Sequence, residues 1–316
     1  MPGSKLGIFP AAGGLGGSTI KHLLPRIPPA ILVLIARYPD KLVAESAAGA
    51  VVRRADYDDE ASLQRAFDGV GALFLISYAS CEYEHRAQAH RRAIDAALRS
   101  GVKHIFYSSL AFAGNLTKET VALVMRAHLA TEAYLEELAR TRTDFTYTAI
   151  REGLYHESFP IYTAFFDPLN PVDEIKIPHD GSGPGVAWAK REELGEATAK
   201  LIAQYATNPQ AFPYMNKTIL LSGPKVLTLG EVVDILGRII GKQVRIKQVS
   251  VDEYAAQPQI APRLTYHGVN LAKEWATAWE AIRRGECSVV TPLLGEILGR
   301  EPEDFETTVR KLIGGA

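Results

Sequence analysis

Lys5-Leu-Gly-Ile-Phe-Pro-Ala-Ala-Gly-Gly-Leu-Gly-Gly-Ser-Thr-Ile20 is the stretch from which the rest of the chain is read. The apolar run Leu6 to Phe9 predicts a first strand, and Ile20, Leu23 and Leu24 repeat at helical spacing until Pro25. Between them lies a turn of small residues, Ala11, Ala12, Gly13, Gly14, Leu15 and Gly16. Strand, glycine turn and helix together suit a nucleotide pyrophosphate. Glycines admit the phosphates close to the backbone, and the helix start offers free N–H groups at a positive dipole end. The spacing fits G-x-x-G-x-x-G with Pro10, Gly13 and Gly16 at the glycine positions. Pro10 departs from that pattern, because proline cannot reach positive φ and has no N–H.

Working outward, Ala30 to Ala36 is a continuous apolar run, as expected of a strand covered on both faces. An NAD-specific fold places an acid at the end of this strand for the ribose 2′-hydroxyl. Here the chain carries Arg37, which predicts charge-assisted pairing with a 2′-phosphate and hence NADP(H). A solvated loop arginine is the plain alternative. Val51 to Asp56 predicts a third strand, with Asp56 either near the adenine or an ordinary loop acid. Ala72 to Ile76 and Lys103 to Tyr107 predict the fourth and fifth strands, followed by Ser77 and by Ser108, Ser109 and Phe112. A helix over about 118–139 leads to a sixth strand, Phe145 to Ile150. This alternation predicts a parallel, doubly wound α/β sheet, whose ligands bind at the carboxyl ends of the strands. Arg37, Asp56, Ser77 and Ser109 all fall at those ends and are expected to hold the cofactor.

The helix near 84–99 carries His85, Arg86, His90, Arg91 and Arg92, which read as a solvated or subunit-facing surface rather than a metal site. Beyond Ile150 the pattern changes. Residues 153–185 are rich in Pro, Gly and aromatics, as expected of irregular structure walling an apolar pocket or filling core. Phe112, Tyr155 and Phe159 are the expected substrate contacts. Thr218 to Leu221 is expected to return to the sheet, and Thr228-x-x-Glu231 and Ser250-x-x-Glu253 are capping boxes.

The whole chain of 316 residues has a formal net charge of −1, which gives no electrostatic reason to expect a nucleic acid or an anionic membrane. Two distant cysteines, no apolar leader and no long apolar run point to a reducing, cytoplasmic setting without disulfides.

The order of motifs resembles the NmrA-like group of atypical short-chain dehydrogenases/reductases, nearest to its NADPH quinone oxidoreductases. The resemblance rests on Ala11-Ala-Gly-Gly-Leu-Gly16, Arg37-x-Pro39, Asp56, Gly101 to Ser109, His128-Leu-Ala-Thr-Glu132, Tyr147 to Tyr155, Ser222 to Thr228 and Leu298 to Pro302. It implies a Rossmann domain over 1–152, with 186–223 returning to it, and a smaller α/β substrate domain over 153–185 and 224–316. It also implies NADP(H) as cofactor. The superfamily's Tyr-x-x-x-Lys pair is replaced here by His128 and Glu132, so the phenol and the lysine are both missing. His128 is the expected proton donor, the alternative being a solvent-facing residue of an amphipathic helix. The readings that follow are reduction of small quinone-like or aromatic carbonyl compounds, ketone or imine reduction in specialised metabolism, or NADP(H) sensing without turnover. A homodimer or a regulatory protein partner is compatible with each.

Overall fold

The computed structural model describes residues 5–315. Seven strands make one parallel sheet: β1 (Lys5–Phe9), β2 (Leu32–Ala36), β3 (Val51–Arg54), β4 (Val70–Ile76), β5 (His104–Leu110), β6 (Thr146–Glu152) and, later in the chain, β8 (Lys217–Leu221). Their spatial order is β3-β2-β1-β4-β5-β6-β8. The order reverses between β1 and β4, so the crevice beyond Phe9 and Ile76 is the topological switch point at which such sheets bind ligands.

Helices cover both faces. They are α1 (Gly14–Leu23), α2 (Val43–Ala47), α3 (Glu60–Leu63), α4 (Tyr83–Arg99), α5 (Leu123–Thr141) and α7 (Arg191–Thr207). β2 is buried at all five positions, which explains its uninterrupted apolar sequence. One face packs Leu6, Ile8, Leu34 and Phe74 against Ile20, Leu23, Leu194 and Leu201; the other packs Ile35, Leu73 and Ile105 against Ala89, Ala93 and Leu135.

A second lobe packs above the carboxyl ends of the strands. It holds α6 (Phe159–Tyr162), β7 (Glu174–Ile177), α8 (Leu229–Ile240), β9 (Arg245–Gln248), α9 (Val251–Ala255), the hairpin β10 (Thr265–Tyr266) and β11 (Val269–Asn270), and α10 (Ala272–Arg283). Its core gathers Tyr162, Trp188, Tyr254, Trp275 and Trp279. Both expected capping boxes form, at Thr228 and at Ser250. After α10 come α11 (Leu293–Leu298), which packs Leu294 and Leu298 against the sheet's helices, and α12 (Phe305–Gly314). Cys81 and Cys287 are both free and buried. Among the described residues no helix is long and apolar enough to cross a membrane.

Two sequence expectations change. The fifth helix begins at Leu123 rather than near 118. Ala113, Gly114 and Leu116 have positive φ there, and Glu286 of the second lobe accepts bonds from the Ala113 and Val121 N–H groups. Phe112 is fully buried in the second lobe's core, and Phe159 is buried there against Phe305. Aromatic type marked both for the substrate, but core packing claims them.

Candidate functional site

The crevice at the switch point is a cleft of about 610 Å³, lined by Phe9, Pro10, Gly13 to Gly16, Arg37, Asp56, Tyr57, Ser77, Tyr155, Arg191 and Tyr266 among others. Its phosphate end is built from backbone. Gly13 is the N-cap of α1, and no side chain caps that helix, so the first-turn N–H groups stay available for an anion. Glycine is required at position 16 for another reason: a Cβ there would stand 2.5 Å from the Ala11 carbonyl oxygen and 2.7 Å from that of Pro10. Above Gly14 lies the Arg191 guanidinium, 2.8 Å from where a Cβ would be. This cation, at the start of α7, is a candidate pyrophosphate contact that the sequence reading missed. Its only sequence signal was an arginine opening a helix.

Ala11 is buried with its N–H bonded to the Ile35 carbonyl at 2.8 Å, and the Ala12 side chain packs against the core. Neither lines the cleft.

At the adenosine end, Arg37 lies on Asp56, with Nε 2.7 Å from Oδ2 and Nη2 2.9 Å from Oδ1. It also donates to Asp58 Oδ2 at 3.2 Å. Arg37 is about half exposed, so a 2′-phosphate could draw it from these acids at modest cost. Uncapped N–H groups, an open glycine face and two cations fit a phosphorylated dinucleotide. Arg37, Gly13, Gly14 and Arg191 would hold it.

The cleft continues into a second cavity of about 210 Å³. Ile76, Ser77, Tyr78, Ala79 and Tyr155 line both, so Tyr155 stands at their junction. The second cavity is walled by Leu110, Leu154 and Tyr162, with Arg86, Ser108, Ser109 and His128 also facing it. Ser109, expected at the cofactor, therefore belongs to this inner cavity, where its hydroxyl donates to Glu132 Oε1.

The polar groups of the inner cavity are nearly all committed to one another. Arg86 is 3% exposed; it donates to the Val124 carbonyl and the Ser77 hydroxyl, each at 2.9 Å, and to His128 Nε2 at 2.7 Å. With Nε2 accepting, His128 carries its proton on Nδ1, which faces the Tyr107 hydroxyl at 3.0 Å. Burial first, and then the Arg86 charge, hold His128 well below the usual imidazole range. His90 accepts the Tyr78 N–H on Nε2 at 2.9 Å and is held neutral by the same two causes. The expectation that Arg86 and His90 face solvent or a subunit is thus overturned. Residues 86, 89, 90, 93 and 97 form one helical stripe turned to the sheet, where His90 and the two Nη groups of Arg86 find partners while the Arg86 Nε is left without one.

Glu132, at the position of the missing lysine, forms a buried bidentate pair with Arg151, at 2.9 and 2.7 Å. Its charge is neutralised within the core. Glu152 differs. It is 1% exposed, and burial pushes its carboxyl up to about 8. Its Oε2 accepts the Tyr155 hydroxyl at 2.7 Å. Neither Arg151 nor Glu152 carries a signal in a single sequence beyond a charge inside an apolar strand.

With this geometry in hand, the relatives are informative. The sequence model of the NmrA-like family matches residues 2–277. An NmrA-like family domain-containing oxidoreductase of Aspergillus flavus is 32% identical over 307 residues, covering 96% of this chain and 93% of that protein. Quinone oxidoreductase 2 of Escherichia coli is 34% identical over 252 residues, covering 79% of this chain and 80% of its own length. The crystal structure of that NADPH-dependent enzyme with NADPH superposes with a TM-score of 0.76 at 28% identity, over 98% of this chain and 99% of that one. Triphenylmethane reductase of Citrobacter sp., complexed with NADP(H), gives a TM-score of 0.75 at 29% identity, over 97% and 99%. From the glycine turn through the second lobe, this chain belongs to the NmrA-like family, among relatives named as oxidoreductases.

Proposed function

We propose that this chain is an NADPH-dependent oxidoreductase that passes hydride to a small, flat, quinone-like or aromatic acceptor. In this reading residues 1–152 and 186–223 hold the cofactor, while 153–185 and 224–316 cover the acceptor. Bound NADPH supplies the hydride, and the protein has to orient the nicotinamide against the acceptor and exclude water. The observation that carries the reading is the inner cavity opening from the cofactor cleft at Tyr155, with the Tyr155–Glu152 pair beside it.

A quinone that accepts a hydride becomes a hydroquinone anion and takes one proton. His128 was the expected donor, but both its ring nitrogens are engaged and its proton affinity is low. Tyr155 is better placed: with the hydrogen bond reversed, so that the protonated Glu152 carboxyl donates to the phenol oxygen, the Tyr155 hydroxyl turns to the acceptor, gives up its proton and takes the one from Glu152, whose burial raises its proton affinity. The Arg86 charge stabilises negative charge on the acceptor's oxygen through the low-dielectric wall. His128 holds Arg86 in place.

The regulator reading calls for an exposed apolar surface over 153–185. Tyr162, Phe159 and Phe166 are buried there, leaving Leu169 and Val172 as the large apolar side chains most exposed in that segment. Turnover therefore has the stronger support. The test is loss of NADPH absorbance against a panel of quinones, ketones and imines, with the reduced product identified. Tight NADPH binding without acceptor-dependent turnover across the panel would sink the proposal.

A further inference from the structure

Outside the lining of either cavity but next to the cofactor cleft, three side chains from separate parts of the chain converge. Asp58 comes from the loop after β3, His85 from the first turn of α4, and His267 from the turn of the β10–β11 hairpin in the second lobe. One ligand atom from each lies within 4.8 Å of the other two. His85 Nε2 is 2.8 Å from Asp58 Oδ1, and His267 Nε2 is 4.0 Å from Asp58 Oδ2.

A further carboxylate orients His267. Its Nδ1 lies 2.7 Å from Glu82 Oε2, an acceptor-only carboxylate, so Nδ1 is the protonated nitrogen facing it. Its Nε2 faces the Tyr78 hydroxyl at 3.5 Å and Asp58 Oδ2 at 4.0 Å, and once deprotonated it offers a lone pair on the side of Asp58. A carboxylate fixing the far nitrogen of an imidazole is the arrangement that orients metal-ligating histidines. His267 also has φ of 47°, followed by Gly268 at 81°, so a histidine occupies a left-handed turn position that suits asparagine or glycine better.

We propose that Asp58, His85 and His267 form a site for a divalent transition metal, with Zn²⁺ the best fit, and that the ion clips the hairpin to the cofactor domain. Two imidazoles and one carboxylate are a borderline-soft set suited to zinc, with water completing a tetrahedron. Ligand bonds of about 2.0–2.1 Å set ligand–ligand distances near 3.4 Å, so the widest pair, within 4.8 Å, must close by up to about 1.4 Å. His267 sits on an exposed hairpin turn where that movement is easy. The metal replaces the proton shared between His85 and Asp58. Tyr266, next to His267, lines the cofactor cleft, so clipping this hairpin steadies one wall of that cleft.

The test is calorimetric titration of the full chain with zinc chloride, after chelation and in a non-coordinating buffer. One ion per chain is expected, with affinity at least 10-fold weaker in His267→Ala and in His85→Ala. Glu82→Ala, which touches no metal, removes the acceptor of the His267 Nδ1–H and is expected to weaken binding by about 10-fold or more by freeing the ring. Cobalt(II) should give the intense visible bands of a four-coordinate site, and zinc should slow amide exchange over residues 265–270. His267 is exposed, so its variant is expected to melt like the parent, keeping loss of metal separable from loss of fold. No uptake, or uptake that survives His267→Ala unchanged, would overturn the proposal and leave the cluster as histidine–carboxylate pairs only.

Discussion

The two ends of the crevice are built by opposite means. At the cofactor end the protein offers backbone, an uncapped helix start and a glycine turn, together with two cations, Arg37 and Arg191. At the acceptor end it offers side chains locked into one another: Arg86 with His128, Glu132 with Arg151, and Tyr155 with Glu152. A ligand common to many enzymes can be met by main-chain groups that any small residues provide. In the proposed reading an acceptor is met among buried side chains, where each polar group needs a partner or its burial is costly.

If this contrast holds, damage to the acceptor end should register first as lost stability. The largest effect is expected for Arg151→Met, which strands the Glu132 carboxylate where both residues are under 10% exposed. The loss should be about 3–5 kcal/mol in denaturant unfolding, with much of it recovered in the double variant Arg151→Met/Glu132→Met. An unchanged midpoint for the single variant would break the comparison at its strongest point.

The cofactor end should respond in affinity. Gly16→Ala places a methyl against two carbonyl oxygens and should weaken NADPH by about 100-fold, roughly 2.7 kcal/mol, because the helix start must shift. Gly13→Ala meets no protein atom within 4 Å and should leave the melting temperature alone. Equal melting losses in the two variants would show that the turn is not the backbone cradle described.

Next in size is a pH effect that belongs to the acceptor end. Glu152 binds its proton more tightly folded, at about 8, than in the unfolded chain, near 4.5. Its contribution to stability is therefore full below pH 4.5 and is lost as pH rises through about 8. Buried His90 and His128 act oppositely, since their folded forms stay neutral; their contribution is lost as pH falls below the usual 6.5. At pH 6.5 the unfolded imidazoles are half protonated and offset Glu152; from about pH 7.5 to 8 the Glu152 slope dominates among these three groups, and stability should fall there by up to about 1 kcal/mol per pH unit. Glu152→Gln should flatten that slope, as melting curves across the window would reveal. In the same window Tyr155→Phe should lower turnover by about 100-fold at unchanged NADPH affinity.

The smallest effect concerns Arg37. Arg37→Ala should cut the preference for NADPH over NADH by about 10-fold, the scale of one charge-assisted hydrogen bond on a half-exposed side chain. Calorimetry with both cofactors reads it directly, and a preserved preference would move the 2′-phosphate to Arg191 or elsewhere.

By itself the sequence determined the strand–turn–helix start, the parallel alternation, a site at the carboxyl ends of the strands and the residues Gly13, Gly16, Arg37, Asp56 and Ser77 there; the strand order that makes it a switch point came from the fold. The features read from sequence are local: they follow from periodicity, from glycine and from position at a strand end, each readable within about ten residues. Tyr155 was also legible, as an aromatic just past the sixth strand. Only the tertiary structure decided that Phe112 and Phe159 are core, that Arg86 and His90 turn inward, and that Glu132 is answered by Arg151, 19 residues away. The same holds for Arg191 over Gly14 and for His267 beside Asp58, contacts spanning 177 and 209 positions of the chain. The reason is physical. Backbone geometry is set by neighbours in sequence, whereas the burial and pairing of a charge depend on what packing brings beside it.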